Sequence, residues 1–252
     1  MAAESILVVQ DVAVEFSGFR AVNGLNLRIN KGELRCLIGP NGAGKTTALD
    51  VICGKVKAAS GRITLKGEDI TRLPEYQIAR RGIGRKFQVP SVFRELSVRD
   101  NFAVAYCKRL GAFDNLFRAP RGIDRDGVAK LADLVGLSDA LDAPAGYLSH
   151  GETQWLEIAL LLAQDSEVIL LDEPTGGMTA QETMHTVKIF NALKGRHTLV
   201  IVEHDMAFVR EISDIITVMH QGKVLAEGRA EEIQRDPAVR EAYLGSGGIA
   251  HA

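Results

Sequence analysis

Residues 39–46 read Gly-Pro-Asn-Gly-Ala-Gly-Lys-Thr. They match G-x-x-x-x-G-K-[ST], a loop that cradles phosphate. Gly39, Gly42 and Gly44 let the backbone turn until successive N–H groups face one concavity, with Pro40, Asn41 and Ala43 filling the loop between them. Such a nest attracts anions, and the positive N-terminal end of a following helix strengthens it. Lys45 brings a full charge for β- and γ-phosphates, and the Thr46 hydroxyl is a hard oxygen suited to Mg2+. The flanks agree. Leu34–Ile38 reads as a short buried strand, and Thr47–Cys53 as a helix.

Outward from this loop, Ile6–Val9, Val12–Phe16 and Leu25–Ile29 read as strands of an antiparallel N-terminal layer, joined by Gly61–Gly67. Val168–Leu171 is apolar throughout and Thr198–Val202 is apolar after its first residue, the pattern of parallel strands covered on both faces. A helix over 181–193 connects them. Ile215–Met219 and Lys223–Glu227 flank His220-Gln221-Gly222 and read as a hairpin. Between about 90 and 150 the chain becomes more charged and helical in spacing (Val128, Leu131, Leu134, Val135), which predicts a helical insertion. The expected fold is therefore α/β: a mostly parallel phosphate-loop core, an antiparallel β subdomain and an inserted α-helical subdomain, all within one domain of 252 residues.

Bulk properties exclude several classes. Hydrophobic residues make up 46% of the chain and its net charge is −2, which argues against a protein built to coat nucleic acid. Three cysteines without C-x-x-C spacing suggest buried thiols rather than a zinc site or disulfide frame. The longest apolar runs are too short to cross a bilayer, so a membrane is met through a partner.

Five further positions carry chemistry. Asp172 and Glu173 follow the strand Val168–Leu171, at the sheet end where ligands bind in parallel sheets. One acid is suited to a metal ion while the other polarises an attacking water. His204 follows Thr198–Val202 and could donate a hydrogen bond to a γ-phosphate. Gln88 stands before the insertion, where its amide oxygen could ligate Mg2+ or orient water. Ser149 is an N-cap candidate ahead of the helical run Thr153–Leu162, a second anion-seeking helix start. Since the chain already has one phosphate loop, this second start suits a nucleotide held by another subunit.

In this order, the motifs resemble those of the ATP-binding-cassette ATPases: Walker A at Gly39–Thr46, the Q-loop at Gln88, the signature at Leu148–Glu152, Walker B at Val168–Asp172 with Glu173, and a switch histidine at His204. The resemblance covers the whole chain. It implies a head-to-tail dimer with ATP between one subunit's Walker A and the other's signature. It also implies that Gly39–Lys45, Thr46 and Thr47 hold phosphate, that Thr46, Gln88 and Asp172 surround Mg2+, and that Glu173 is the base. Ser149 and Gly151 would face the partner's γ-phosphate, and Phe16 falls where the family stacks adenine, with Phe19 a weaker candidate.

Gly84–Gln88, Leu148–Gly151, Gln154–Ile158, Gly177–Thr179, Glu203–Met206 and Tyr243–Gly245 are similar to the urea-importer branch of the branched-chain amino-acid transporter ATPases. That implies an ATPase subunit energising uptake of a small polar solute, urea first and a branched-chain amino acid or other amide as the alternative. The implied partners are a second ATP-binding subunit (identical or different), two permeases and, indirectly, a periplasmic binding protein, with the chain peripheral on the cytoplasmic face of a bacterial membrane. Arg85, Lys86 and Arg94 are candidates for docking the permeases. His150 replaces a signature glycine, Glu152 a glutamine, and Thr179-Ala180 lacks the aspartate common in the following loop. A soluble cassette of the translation or repair kind fits less well, because one cassette and no basic face are present. A small-molecule kinase would have no use for the signature, Gln88 or His204.

Overall fold

The computed structural model describes residues 4–86, 92–107 and 125–244. Gln88 lies outside them. The chain divides into two compact units, Met1–Ile83 with Val168–Pro174 and Leu193–Ala252, and Gly84–Glu167 with Thr175–Ala192.

The first unit holds the antiparallel layer. β1 (Ser5–Phe16) pairs with β2 (Phe19–Asn30) on one side and with β4 (Ser60–Leu65) on the other, and β5 (Glu68–Asp69) extends the sheet. The sequence reads as two strands where the structure has one, β1, whose register shifts between Val9 and Val12. Asp11 sits at this bulge with φ 47°. It is clamped there by Asn26, which donates from Nδ2 to Asp11 Oδ1 at 2.8 Å and accepts from the Asp11 N–H at 3.1 Å. The interruption in hydrophobic alternation is a bulge that keeps both halves of the strand facing one core.

The main sheet runs β10-β9-β3-β8-β7-β6. β3 (Leu34–Ile38) lies between β8 (Thr198–Val202) and β9 (Ile215–His220), parallel to both, and β7 (Val168–Asp172) lies parallel beside β8. β10 (Lys223–Gly228) closes one edge as a hairpin with β9, and β6 (Ile83–Arg85) lies at the other. Aliphatic side chains of β1, β2 and β4 share one core with α1 (Lys45–Ile52), β7 and β8. Within the buried β3, Arg35 is only 2% exposed. Its guanidinium donates to Glu33 Oε1 (2.7 Å), Thr217 Oγ1 (3.0 Å) and the Arg28 carbonyl (3.1 Å), and also pairs with Glu227. A buried cation survives because its donors are used. The network ties β2, β3, β9 and β10 together.

The second unit is helical. α3 (Val98–Cys107) and α4 (Arg125–Leu134) both pack on α5 (His150–Ala163), and α6 (Ala180–Leu193) lies beside α5. Trp155 of α5 donates its indole N–H to Thr186 Oγ1 at 2.9 Å and stacks, tilted, on His185 with ring centroids 4.4 Å apart. Lys86 and Glu157 form an ion pair at 3.6 Å, their side chains 5% and 3% exposed. Lys86 is therefore an internal counter-ion and not a docking charge, which corrects its sequence-based placement on the surface. Short helices α2 (Glu75–Arg80), α7 (Met206–Ile212), α8 (Ala230–Arg235) and α9 (Pro237–Leu244) belong to the first unit. Among the described residues, no helix is long and apolar enough to cross a membrane.

Candidate nucleotide site

Because β3, β8 and β7 are adjacent and parallel, the loops after them emerge side by side at the carboxyl edge of the sheet. The loop after β3 holds Gly39–Gly44, the residue after β7 is Glu173, and Glu203 and His204 follow β8. Three stretches far apart in sequence thus meet on the face of one unit.

Gly39 takes φ 147° and Gly44 φ 97°. A Cβ on Gly39 would lie 2.1 Å from the Met219 carbonyl oxygen, and one on Gly44 would lie 2.4 Å from that of Ala21. Neither position has room for a side chain. Both the backbone path and its close packing on β2 and β9 demand glycine. Gly44 caps α1 without any side-chain hydrogen bond, and no acidic residue occupies the first turn. Among the described residues, no capping side chain and no first-turn carboxylate competes for the N–H groups of that turn, the arrangement a phosphate needs.

Lys45 folds back over the loop. Its ammonium donates to the carbonyls of Gly39 (2.7 Å) and Pro40 (3.1 Å). Burial holds its pKa below the usual lysine value, while the nearby carboxylates of Glu173 and Asp172 oppose that shift. The lysine thus sits between the loop and both acids, where added phosphate charge would favour the ammonium. Thr46 is exposed and Asp172 half-buried at the end of β7. A threonine hydroxyl and one carboxylate are hard oxygen donors that suit Mg2+, an ion that keeps several waters and takes further oxygens from phosphates. Among the described residues no cluster of three or more acidic, histidine or cysteine side chains forms a self-sufficient metal cage. The donor set fits Mg2+ carried with a nucleotide.

Glu173 adopts φ 46°, held by its N–H, which donates to the Val202 carbonyl at 2.9 Å. This left-handed turn carries its side chain out of the sheet, and 55% of it is exposed. Its Oε1 lies 3.8 Å from His204 Nδ1, and that same nitrogen is 3.9 Å from Glu203 Oε2. Glu203 also accepts the His204 backbone N–H at 3.2 Å. The imidazole is thus flanked by one exposed and one buried carboxylate. Sequence reasoning singled out His204 but missed Glu203, although an acid after four apolar strand residues, Leu199–Val202, repeats the pattern that marked Asp172. Gly39 has one further contact it missed: its backbone hydrogen-bonds Tyr243 of α9, whose hydroxyl burial pushes up to about 12.

Phe16 and Phe19 face each other across the β1–β2 turn and are 47% and 67% exposed. β2 then runs to Ala21, the residue against Gly44, so an exposed aromatic pair lies a few residues from the loop.

In the second unit, Ser149 caps α5 as expected. Its hydroxyl accepts the Glu152 N–H at 3.2 Å, and Glu152 Oε2 accepts the Ser149 N–H at 2.7 Å, a full capping box. Glu152, in place of glutamine, retains the acceptor the box needs. His150 Nε2 lies 2.9 Å from the Gly176 carbonyl, so that nitrogen carries the proton and the side chain fastens the helix start to the loop after β7. Gly151 is buried.

Comparison with known proteins agrees with this geometry. A family model described as "ABC transporter" matches residues 22–176, and a second, "Branched-chain amino acid ATP-binding cassette transporter", matches residues 223–249. The chain is 37% identical to the high-affinity branched-chain amino acid transport ATP-binding protein LivG of Salmonella typhimurium, over 96% of this chain and 99% of that one. It is also 37% identical to BraF of Pseudomonas aeruginosa, over 95% and 98%. An ATP-binding cassette of an ABC transporter in its ADP conformation superposes with a TM-score of 0.81 at 30% identity, covering 96% of this chain and 99% of the other. The phosphate nest, the acids at the end of β7 and these whole-length similarities give one conclusion: the chain is an ATPase that belongs to the branched-chain amino acid transporter family of ABC transporter ATP-binding proteins.

Proposed function

We propose that this chain hydrolyses MgATP at the seam of a head-to-tail pair of cassettes and so powers uptake of branched-chain amino acids or closely related amides. The observation that carries the reading is the meeting of three loops on one sheet edge: the nest with Lys45, the Asp172–Glu173 pair and His204. The phosphates of ATP rest in the nest of Gly39–Gly44 and on the uncapped first turn of α1, through Lys45, Thr46 and Thr47. Phe16, with Phe19 beside it, stacks the adenine. Thr46, Asp172 and Gln88 hold Mg2+, which neutralises phosphate charge when bound. Glu173, exposed and turned out of the sheet, takes a proton from water as the water oxygen bonds the γ-phosphorus and the bond to ADP breaks. His204, oriented by Glu203, hydrogen-bonds the γ-phosphate.

Ser149 and Gly151 serve the ATP held by the partner subunit, so cleavage removes the group that bridges the pair. The second ATP-binding subunit is identical or different, two permeases dock on the helical unit, and a periplasmic binding protein delivers the solute. The chain is peripheral, on the cytoplasmic face of the membrane. Exposed Phe93, Leu96 and Tyr147 supply apolar surface on that unit for permease contact.

The relatives favour the amino-acid reading over the urea reading made from sequence, because LivG and BraF carry branched-chain amino acid transport in their names. The test has two arms. Glu173→Gln should retain ATP binding and lose most turnover, and wild-type hydrolysis in that variant would remove Glu173 as base. A host lacking the chain should lose uptake of labelled leucine and keep that of labelled urea; the reverse would restore the urea reading.

A further inference from the structure

The start of α5 is not empty. A Cβ on Gly151 would meet the Glu182 side chain at 2.4 Å from Oε1, 2.7 Å from Cδ and 3.0 Å from Cγ. The carboxylate of Glu182 therefore lies directly over the glycine of the signature. Its other oxygen, Oε2, accepts the Thr179 N–H and the Thr179 hydroxyl, both at 2.8 Å. Thr179 Oγ1 in turn accepts the Glu182 N–H at 3.3 Å. The residue that replaces the expected aspartate thus anchors one oxygen of Glu182 and leaves the other to reach across to α5. Hydrogen bonds from Thr179, and further ones from the Gly151 N–H and the Ser149 hydroxyl, hold this carboxyl below the usual range. It is charged at neutral pH, and two of its donors are the groups expected to receive a γ-phosphate.

We propose that Glu182 is a positioning residue that occupies the anion place of the signature until the partner's ATP displaces it, so that it sets the ATP concentration at which the two cassettes close. This rests on the reading of Ser149 and Gly151 as the partner-facing half of the ATP site. Glu152 already takes the Ser149 N–H, and Glu182 Oε1 covers the Gly151 N–H and the Ser149 hydroxyl, so a γ-phosphate gains these last two donors only as Glu182 Oε1 withdraws. Withdrawal leaves Oε2 on Thr179, so the start of α6 stays capped while the signature is exposed. The loop of Thr175–Thr179 is thereby coupled to the arrival of phosphate. His150, bound to the Gly176 carbonyl, holds the same two segments in register during the exchange.

The test uses the assembled transporter and the steady-state KM and kcat for ATP. Glu182→Gln keeps an oxygen for Thr179 and removes the charge. It should lower KM about five- to twentyfold with little change in kcat, a coupling of ordinary allosteric size. Glu182→Asp keeps the charge and should leave KM within about twofold of the parent. A KM that is unchanged or raised in Glu182→Gln overturns the proposal, and so does an equal drop in both variants, which would make shape rather than charge the cause. Melting temperatures without nucleotide separate the effect from damage to the fold, because a mere capping residue would lower stability in Glu182→Gln without lowering KM. Ser149→Arg is the control for the underlying reading. If it leaves KM and kcat untouched, the signature does not face phosphate and both statements fall; if it cripples hydrolysis while Glu182→Gln does nothing, only the proposal falls.

Discussion

Replacing Lys86 with methionine removes the ammonium that faces Glu157 and keeps most of the side-chain volume. Both side chains are buried, at 5% and 3% exposure, with 3.6 Å between Nζ and Oε2. The carboxylate would remain in a place that water hardly reaches. Breaking one partner of such a pair costs about 3–5 kcal/mol. For a chain of this size each kcal/mol moves the melting temperature by about 2–4 °C, so Lys86→Met should melt roughly 6–20 °C lower. The double variant Lys86→Met with Glu157→Leu replaces the pair by apolar side chains and should recover most of the loss, since such exchanges are often close to neutral. Thermal denaturation followed by circular dichroism, without nucleotide, measures both variants. If Lys86→Met melts within about 2 °C of the parent while losing its permeases on co-purification, the side chain is a surface docking charge and the argument from burial is wrong.

Two other positions give independent checks. Gly39→Ala places a Cβ 2.1 Å from the Met219 carbonyl oxygen, so the loop must shift by about 1 Å to restore normal contact. Titration with a fluorescent ATP analogue should show affinity reduced more than about tenfold, and retained affinity would refute the packing of the nest on β9. Tyr243→Phe removes the hydroxyl bonded to the Gly39 backbone, and should raise the KM for ATP about three- to tenfold with little loss of melting temperature. An unchanged KM would show that α9 does not support the loop.

Much of the site could be read from the chain because its signals are local. The nest needs only glycines at set spacing before a lysine. The cap at Ser149 needs only a hydroxyl before a helical run, and the structure adds the reciprocal bond from Glu152. Strands β3, β7 and β8 were legible as short apolar runs because both of their faces are covered. Reading failed where a residue's meaning depends on what lies opposite. Gln10 and Asp11 look like a break between two strands, yet Asn26 on the neighbouring strand holds them as a bulge within one. Lys86 resembles a surface charge until Glu157 is brought to it from 71 residues further along, the difference of the two residue numbers.

What the sequence determined alone is the chemistry available: a phosphate nest, two acids and a histidine at strand ends, and a second helix start that seeks an anion. These follow from spacing within a few residues, where backbone geometry leaves few options. The tertiary structure decided how the pieces are ordered and which groups confront one another. It set β8 between β3 and β7, Glu173 beside His204, Arg35 beside Glu227, and Glu182 over Gly151. Such pairings join residues far apart in the chain. Their energies come from burial and from charges brought within a few ångströms, and neither exists until the chain has folded.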